Sequence, residues 1–273
     1  MIPSWVDGQP ATGLPLQDRG FAYGDGLFET IKVVNGYPEL LDRHLERLDL
    51  GCQRFAIPCD MASLRTQVIA FGNALGTGVA KLVLTRGDGR RGYGPPAACQ
   101  PRVVLMGSPQ PDYPIEHSEN GVRLYACTTR LSEQPVLAGL KHLNRLEQVL
   151  ARAEWQDPDF AEGLMRDISG RVIEAVFSNL FIVQSGVLLT PSLDRCGVAG
   201  VMRAELLHRA RQAGIHAKVG DISLDQLFGA DEVFVCNSLY GIWPVRQFEA
   251  SVWPVGPLTR KLQRLVADLS SNT

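Results

Sequence analysis

Two segments of the sequence carry residue types that can bind a phosphate group. Gly197 and Gly200 directly precede a run with helical spacing, where backbone N–H groups and the positive end of the helix dipole favour an anion. A plain tight turn is the better explanation for so short a glycine motif taken alone. Arg43 and Arg47 lie one helical turn apart and could grip a phosphate or a carboxylate. Taken alone, such a pair is more typical of a solvated helix face.

Two further segments place charged residues where they could contribute to a site. Glu174 interrupts an apolar, strand-like run, and alternation along the strand places it opposite Ile173 and Ala175. Without other context this pattern favours a side chain that points to solvent. The loop from Arg86 to Tyr93 holds three arginines, a residue type suited to bidentate carboxylate binding. The alternative for this segment is a solvated surface loop.

The segment that begins at Lys141 is the most specific one in the chain. Its sequence, K-H-L-N-R-L-E-Q, resembles the cofactor-lysine segment of the aminodeoxychorismate lyases. These enzymes belong to the fold-type IV pyridoxal-phosphate enzymes, alongside branched-chain and D-amino-acid aminotransferases. The resemblance implies an α+β, two-domain fold of the D-amino-acid aminotransferase type. It implies a smaller N-terminal α/β domain, a larger C-terminal domain with a barrel-like sheet, and pyridoxal 5′-phosphate carried on Lys141.

The resemblance continues along nearly the whole chain in the same order. Residues 23–30, Y-G-D-G-L-F-E-T, are similar to the family's active-site strand entry, and residues 44–48, H-L-E-R-L, are similar to its phosphate-binding helix. The second match indicates Arg47 rather than Arg43 as the phosphate ligand. The resemblance implies cofactor contacts from Lys141, Arg47, Glu174, Ser178, Asn179, Gly200, Val201, Met202, Asn237 and Ser238.

The same resemblance implies the roles of the residues that act on the substrate. Lys141 would take a proton from the substrate carbon that bears nitrogen, and Glu174 would keep the pyridine nitrogen protonated. Thr30 would position or protonate groups near the cofactor. The expected reaction is the cleavage of 4-amino-4-deoxychorismate into 4-aminobenzoate and pyruvate, a step of folate biosynthesis. The implied substrate contacts are Tyr23, Phe28, Arg86, Arg91 and Asn144.

Some positions depart from the family pattern. Ile173 and Met202 stand where many relatives have threonine, and the second change leaves the phosphate more dependent on backbone N–H groups. Two positions favour the lyase. Thr30 stands where aminotransferases of this fold commonly have glycine, and Arg145 and Leu146 follow Asn144 where aminotransferases usually have Asn-Tyr. One alternative is a branched-chain or D-amino-acid aminotransferase of the same fold. Another is a protein that binds a phosphate ligand without catalysis.

The elements that must position these residues follow from apolar periodicity and turn signals. Phe28–Val34 is predicted as a strand that ends at the hairpin signal Asn35-Gly36, and residues 41–55 as an amphipathic helix. Further helices are predicted from near Lys141, over 202–213, from the capping box at Ser223, and over 258–269. Further strands are predicted over 81–85, 102–106, 122–128, 163–167, 171–175, 179–183, 187–190 and 232–237. A proline-rich linker at 107–114 indicates domains 1–110 and 111–273, the second with the cofactor lysine.

Composition limits the class of protein. A chain of 273 residues is long enough for a large core with a cleft, and its net charge of −2, without a basic stripe, argues against nucleic-acid binding. The N-terminus has no secretory pattern, and no apolar run is long enough to cross a membrane. The six cysteines have no zinc-like spacing. We therefore expect a cytoplasmic enzyme with reduced thiols, without metal, membrane or nucleic-acid partner, and a homodimer as the resemblance implies.

Overall fold

The computed structural model describes residues 2–270, and the chain divides into two compact units. Unit 1 comprises Met1–Pro111, Leu140–Asn144 and Leu269–Thr273, and unit 2 comprises Asp112–Gly139 and Arg145–Asp268. The break after Pro111 is one residue from the predicted division between residues 110 and 111. The segment that contains Lys141, however, packs with unit 1 rather than with the C-terminal domain to which the sequence assigned it.

Unit 1 is built on an antiparallel sheet with two long helices. Its described elements are β1 (Ser4–Val6), β2 (Gln9–Pro10), α1 (Arg19–Tyr23), β3 (Gly26–Val34), β4 (Tyr37–Pro38), α2 (Leu41–Phe55), α3 (Met61–Leu75), β5 (Gly78–Thr85) and β6 (Arg102–Ser108). The strand order is β2-β1-β6-β5-β3-β4. The core between the sheet and the helices contains Ile31 of β3, Leu45 and Leu48 of α2, and Val68 and Phe71 of α3.

The predicted hairpin at Asn35-Gly36 and the predicted helix over residues 41–55 are both confirmed. Asn35 and Gly36 have φ angles of 50° and 83°, the positive values that a tight two-residue hairpin turn requires, and they join β3 to β4. Helix α2 spans the predicted residues. Helix α3 is not predicted, although Leu64, Val68, Phe71 and Leu75 recur at helical spacing. Its start signal is Asp60, whose carboxylate accepts hydrogen bonds from two backbone N–H groups.

A helix is present in the segment after Lys141 as predicted, but its predicted start is wrong, because the helix begins only at Leu146. The Phe28 N–H donates a hydrogen bond to the Lys141 carbonyl at 2.9 Å, and the Leu143 N–H donates to the Gly26 carbonyl at 3.0 Å. The segment 140–144 is therefore extended along β3. Its backbone groups find partners on the strand, so they do not need the internal hydrogen bonds of a helix.

Unit 2 contains the larger sheet. Its described elements are α4 (Ile115–Glu119), β7 (Val122–Leu131), α5 (Leu146–Arg152), β8 (Phe160–Asp167), β9 (Val172–Ala175), β10 (Asn179–Gln184), β11 (Val187–Pro191), α6 (Val201–Gln212), β12 (Ala217–Gly220), α7 (Leu224–Phe228), β13 (Glu232–Asn237), β14 (Gly241–Phe248), β15 (Ser251–Val252) and α8 (Pro257–Val266). A 3-10 helix (Ala267–Ser270) follows α8.

The sheet of unit 2 closes on itself. The strand order is β12-β11-β10-β13-β14-β7-β8-β9, and β9 also pairs with β10, so six strands form a ring. Leu124, Leu164, Leu180, Val235 and Trp243 are buried in its core. The expected α+β architecture with a barrel-like sheet in the larger part is confirmed.

Closure of this ring explains why the sequence was wrong about the exposure of Glu174. The alternation of β9 favoured a solvent-facing acid, but Glu174 is 4% exposed, and all four residues of β9 are buried. Because β9 has a neighbouring strand on each side and a covered sheet on both faces, alternation along it does not separate a wet face from a dry one. Glu174 is therefore a buried acid.

Several smaller features agree with the sequence. The capping box at Ser223 is formed with Gln226 and begins α7. The six cysteines are free thiols. None of the described helices is both long and apolar enough to cross a membrane.

Candidate active site

Lys141 lies on the same face of the unit 1 sheet as Phe28 and Thr30. The bridge between Leu27 and His142 places Lys141 opposite Phe28, and the Lys141 Nζ is 4.5 Å from the centroid of the Phe28 ring. Thr30 follows Phe28 by two residues in β3 and so points to the same side. Three of the predicted site residues, Phe28, Thr30 and Lys141, therefore lie on one face of the unit 1 sheet.

A second lysine, which the sequence analysis did not single out, lies on this face. Lys81 of β5 is the cross-strand partner of Thr30, and its Nζ is 5.4 Å from the centroid of the Phe28 ring. The signal for Lys81 is its register opposite Thr30, which the sequence alone does not reveal. Two lysine side chains beside one aromatic ring make this face suited to an anionic ligand.

The opposite face of β3 carries a buried cluster of charged and polar groups. The Arg47 guanidinium donates two hydrogen bonds to the Glu29 carboxylate, one of them from Nε at 2.8 Å, and His44 Nδ1 lies 2.6 Å from the same carboxylate. Burial alone would raise the pKa of Glu29, but Arg47 and His44 outweigh burial and lower that pKa to about 2. Burial lowers the pKa of His44, so the imidazole is neutral and Glu29 is ionised at neutral pH. Arg47, predicted as the phosphate ligand, is thus oriented by Glu29.

The predicted substrate role of Arg86 does not fit the structure. Its Nε donates to Asp25 at 2.8 Å, and its two terminal nitrogens donate to the Ala56 and Phe55 carbonyls at 3.0 and 2.8 Å. Asp25 also accepts a hydrogen bond from Arg19 at 2.8 Å. Burial opposes ionisation of Asp25, but the two arginines outweigh burial and lower its pKa. Arg86 is 8% exposed, and its hydrogen bonds connect Asp25, just before β3, to the C-terminal end of α2.

Tyr23 and Asn144 hold neighbouring backbone segments of unit 1. The Tyr23 hydroxyl accepts a hydrogen bond from the Gly92 N–H at 3.0 Å, beside the exposed Arg91. The Asn144 side-chain amide donates to the Gly24 carbonyl at 3.1 Å. Of the predicted substrate contacts, Phe28 lies beside Lys141, Arg91 is solvent-accessible, and Tyr23 and Asn144 have positioning contacts.

In unit 2, Glu174 and Asn179 grip the predicted phosphate turn from adjacent strands. They are cross-strand partners in β9 and β10. The Val198 N–H donates to Glu174 Oε2 at 2.8 Å, and the Gly200 N–H donates to Asn179 Oδ1 at 2.9 Å. Asn179 Nδ2 returns a hydrogen bond to the Val198 carbonyl at 2.8 Å. Two side chains therefore fix the backbone of residues 198–200.

This turn needs glycine at position 200 and ends at the start of α6. A Cβ on Gly200 would lie 2.0 Å from Asn179 Oδ1, a contact that the turn could not accommodate. Gly200 is the N-cap of α6, and no side chain of the described residues caps it. The side chains of Val201 and Met202 are buried, so these residues can offer only their backbone N–H groups. An anion is suited to such a helix start.

Two predicted cofactor contacts in unit 2 have other partners. The Ser178 hydroxyl donates to Glu162 and lies against the Tyr240 hydroxyl, and Asn237 Oδ1 accepts the Leu239 and Tyr240 N–H groups at 2.9 and 3.1 Å. The side chains of Ser178 and Asn237 are therefore engaged within the protein, because they hold turns. Ser238 is half-buried next to Asn237.

Glu162, which the sequence analysis missed, is a fully buried acid in β8. Burial raises the pKa of Glu162 to about 8, although hydrogen bonds from Ser178 and two backbone N–H groups oppose that rise. The sequence signal was an acid inside the apolar run F-A-E-G-L-M. Burial thus favours the protonated form of this side chain.

The residues present fit pyridoxal phosphate, the cofactor that the resemblance implies. Unit 1 offers a primary amine beside an aromatic ring, which suits an aldehyde. Unit 2 offers a buried carboxylate, which suits a protonated pyridine nitrogen, and a helix start without a side-chain cap, which suits a phosphate. Among residues 2–270 no group of three or more histidine, cysteine or acidic side chains could hold a metal ion.

Comparison with known proteins places this chain among related sequences. The model of the amino-transferase class IV family matches residues 26–248. An aminodeoxychorismate lyase from Vibrio harveyi is 40% identical over 264 residues, which cover 95% of this chain and 97% of that protein.

Solved structures are similar over nearly the whole chain. A crystal structure of 4-amino-4-deoxychorismate lyase from Pseudomonas aeruginosa matches with a TM-score of 0.96 at 62% identity, over 97% of this chain and 98% of the other. A hypothetical aminotransferase from Mycobacterium tuberculosis, in its PLP-bound form, matches with a TM-score of 0.83 at 21% identity, over 95% of this chain and 93% of the other. The second likeness shows the fold alone.

The Glu29 cluster generates a prediction about stability. Glu29→Gln should lower the free energy of unfolding at pH 7 by about 3 kcal/mol, because Arg47 loses its buried counter-charge. The pKa of Glu29 in the folded protein is about 2, below its ordinary 4.5. Its stabilising contribution is therefore present above pH 4.5 and is lost as the pH falls towards 2. Urea unfolding at several pH values measures both effects.

The control for this variant is Glu46→Gln, an exposed position on the same helix. It should change the unfolding free energy little at any pH. Equal stability losses in the two variants would contradict the role given to Glu29.

Proposed function

This chain belongs to the amino-transferase class IV family. We propose that, within this family, it is a pyridoxal-phosphate-dependent lyase that converts 4-amino-4-deoxychorismate into 4-aminobenzoate and pyruvate. The observation that carries this conclusion is the likeness to two lyases, at 40% and 62% identity, over at least 95% of the chain. Aminotransferase relatives are more distant, at 30% and 21% identity. The reaction breaks one carbon–oxygen bond and makes the substrate ring aromatic.

The cofactor is the first part of the proposal. The neighbour solved in its PLP-bound form shares the fold, and the amine, carboxylate and helix start described above are the groups that this cofactor needs. When bound, pyridoxal phosphate supplies an electron-withdrawing ring that stabilises the electron pair left on a carbon beside the substrate nitrogen. We assign its covalent attachment to Lys141.

Lys141 is also the proposed base. As a neutral amine it can take the proton from the substrate carbon that bears nitrogen, and the Phe28 ring against which it lies limits its freedom. Thr30, on the same face, is placed to position or protonate groups near Lys141. The exposed Arg91 and the ammonium of Lys81 are the groups that we assign to the substrate carboxylates.

Glu174 is the proposed partner of the pyridine nitrogen. Its carboxylate is buried and already accepts the Val198 N–H, so it is held in one orientation. A carboxylate at the nitrogen keeps that nitrogen protonated and so strengthens the electron-withdrawing ring. Arg47, the N–H groups of Val201 and Met202, and Ser238 are the proposed phosphate ligands, while Asn179 holds the Gly200 N–H and so orients the turn.

The reaction itself is the first prediction from this proposal. Purified full-length protein should release 4-aminobenzoate and pyruvate in equal amounts from 4-amino-4-deoxychorismate, without a keto-acid acceptor. Lys141→Ala should lower this rate by about 10³-fold, because the general base is lost. The control is Lys218→Ala, an exposed lysine in unit 2, which should keep full activity. Release that depends on a keto acid would instead support an aminotransferase.

The second prediction concerns Glu174. Glu174→Gln should keep the fold and bind the cofactor, because an amide oxygen can still accept the Val198 N–H. Its turnover should fall by about 10²-fold, since the pyridine nitrogen loses its anionic partner. Steady-state kinetics and cofactor titration measure the two properties separately. The half-buried Glu154→Gln is the control, and unchanged turnover in Glu174→Gln would remove the assignment.

We also propose that the protein is a homodimer. Helix α5 exposes Leu146, Val149 and Leu150 at 68%, 60% and 53%, an apolar face that a second copy of the chain would cover. Sedimentation velocity should give twice the mass of one chain, and Val149→Glu should shift the protein towards the monomer. A stable wild-type monomer with full activity would contradict the proposal. The cytoplasmic location expected from the sequence stays a prediction.

A further inference from the structure

Glu162 holds the turn that joins the strands of Glu174 and Asn179. It is fully buried in β8, and its Oε1 accepts hydrogen bonds from the Phe177 N–H at 3.3 Å and from the Ser178 hydroxyl. Its Oε2 accepts the Gly163 N–H at 3.2 Å. The carboxyl group thus links β8 to the short connection between β9 and β10.

That connection is tightly constrained by further hydrogen bonds. The Ala175 N–H donates to the Ser178 carbonyl at 2.8 Å, and the Val176 N–H donates to the Gly163 carbonyl at 3.0 Å. The Ser178 hydroxyl, on which Glu162 acts, also meets the Tyr240 hydroxyl. A displacement of the connection would therefore move the ends of both strands.

The two strand ends carry the side chains that grip the glycine turn. Glu174 lies two residues before the connection, and Asn179 directly follows Ser178, the last residue of the connection; the two are paired across the strands. Together they receive the N–H groups of Val198 and Gly200. Glu162 is therefore linked to the turn before α6 by its hydrogen bonds to the connection, by the backbone of residues 174–179, and by the hydrogen bonds of Glu174 and Asn179.

The surroundings of Glu162 favour its neutral form. Titratable groups that interact electrostatically with Glu162 include Glu174 of β9, Cys127 of β7, Tyr113 and Tyr240. Burial disfavours a negative charge on Glu162, and the like charge of Glu174 adds to that effect. A neutral acid accepts the hydrogen bonds of the connection without placing a second charge beside Glu174.

We propose that Glu162 is a positioning residue that fixes Glu174 and Asn179 against the glycine turn by holding the connection between β9 and β10. The proposal reassigns Ser178 from the cofactor to this internal link. It rests on the proposed function only for the roles of Glu174 and Asn179. The hydrogen bonds from Glu162 to the connection do not depend on substrate or cofactor, so the positioning role can be tested without either.

The test is amide hydrogen exchange of the full chain, measured on the peptides that contain Val198 and Gly200. Glu162→Ala should speed their exchange by about tenfold, because three buried donors lose their acceptor and the grip on the turn loosens. Glu162→Gln keeps an oxygen for Phe177 and Ser178 and has no charge, so its exchange should stay close to that of the wild type. Unchanged exchange in Glu162→Ala overturns the proposal.

The matched control is Glu232→Ala in the same unit. Glu232 is 5% exposed and also accepts three hydrogen bonds, from Leu258 and Thr259 at the start of α8. This variant should loosen α8 and leave exchange at Val198 and Gly200 unchanged. Equal exchange at these two residues in both alanine variants would reveal a general loss of stability and overturn the proposal.

A second variant and a second readout keep the test decisive if Glu162→Ala does not fold. Ser178→Ala removes one of the hydrogen bonds between Glu162 and the connection and should speed exchange at Val198 and Gly200 severalfold; unchanged exchange overturns the proposal. Equilibrium binding of pyridoxal phosphate should be weaker in Ser178→Ala than in Glu162→Gln. If exchange responds as expected but the chain lacks lyase activity, the proposed function fails and the positioning role stands.

Discussion

The cost of burying a carboxyl group is the constraint on which both units depend. A buried acid is tolerated only if it is neutral or if cations or hydrogen-bond donors compensate its charge. Arg47 and His44 outweigh burial and lower the pKa of Glu29, whereas burial raises the pKa of Glu162 and the charge of Glu174 adds to that rise. Glu174 has the Val198 N–H as a partner. Each acid therefore fixes the group beside it: Glu29 orients Arg47, Glu174 holds the turn before α6, and Glu162 holds the connection between β9 and β10.

The motifs singled out residues that lie together within each unit, while their functional roles stay predictions. His44 and Arg47 of the H-L-E-R-L segment both contact Glu29, and Glu174 and Asn179, which the resemblance implied as cofactor contacts, are cross-strand partners. The hairpin at Asn35-Gly36 and the cap at Ser223 were predictable because turn and cap chemistry depends on adjacent residues.

What the sequence missed depends on long-range pairing. The extended backbone at Lys141 needs β3, over a hundred residues earlier, as a partner, and helical spacing after it was misleading. The burial of Glu174 follows from ring closure, which no local pattern encodes. Arg86 has the residue type of a substrate ligand, but Asp25 and two carbonyl groups use its three nitrogens. Glu162 was not singled out from the sequence, because its role depends on the connection between β9 and β10, which it contacts from a different strand.

The central claim is that Lys141 carries the cofactor, and borohydride reduction of the full chain as purified with pyridoxal phosphate tests it most directly. Reduction fixes the cofactor to the amine that holds it, and peptide mapping by mass spectrometry then identifies that amine. The account predicts one modified peptide, with the cofactor on Lys141. Modification of Lys81, which lies beside the same Phe28 ring, with Lys141 left unmodified would contradict it.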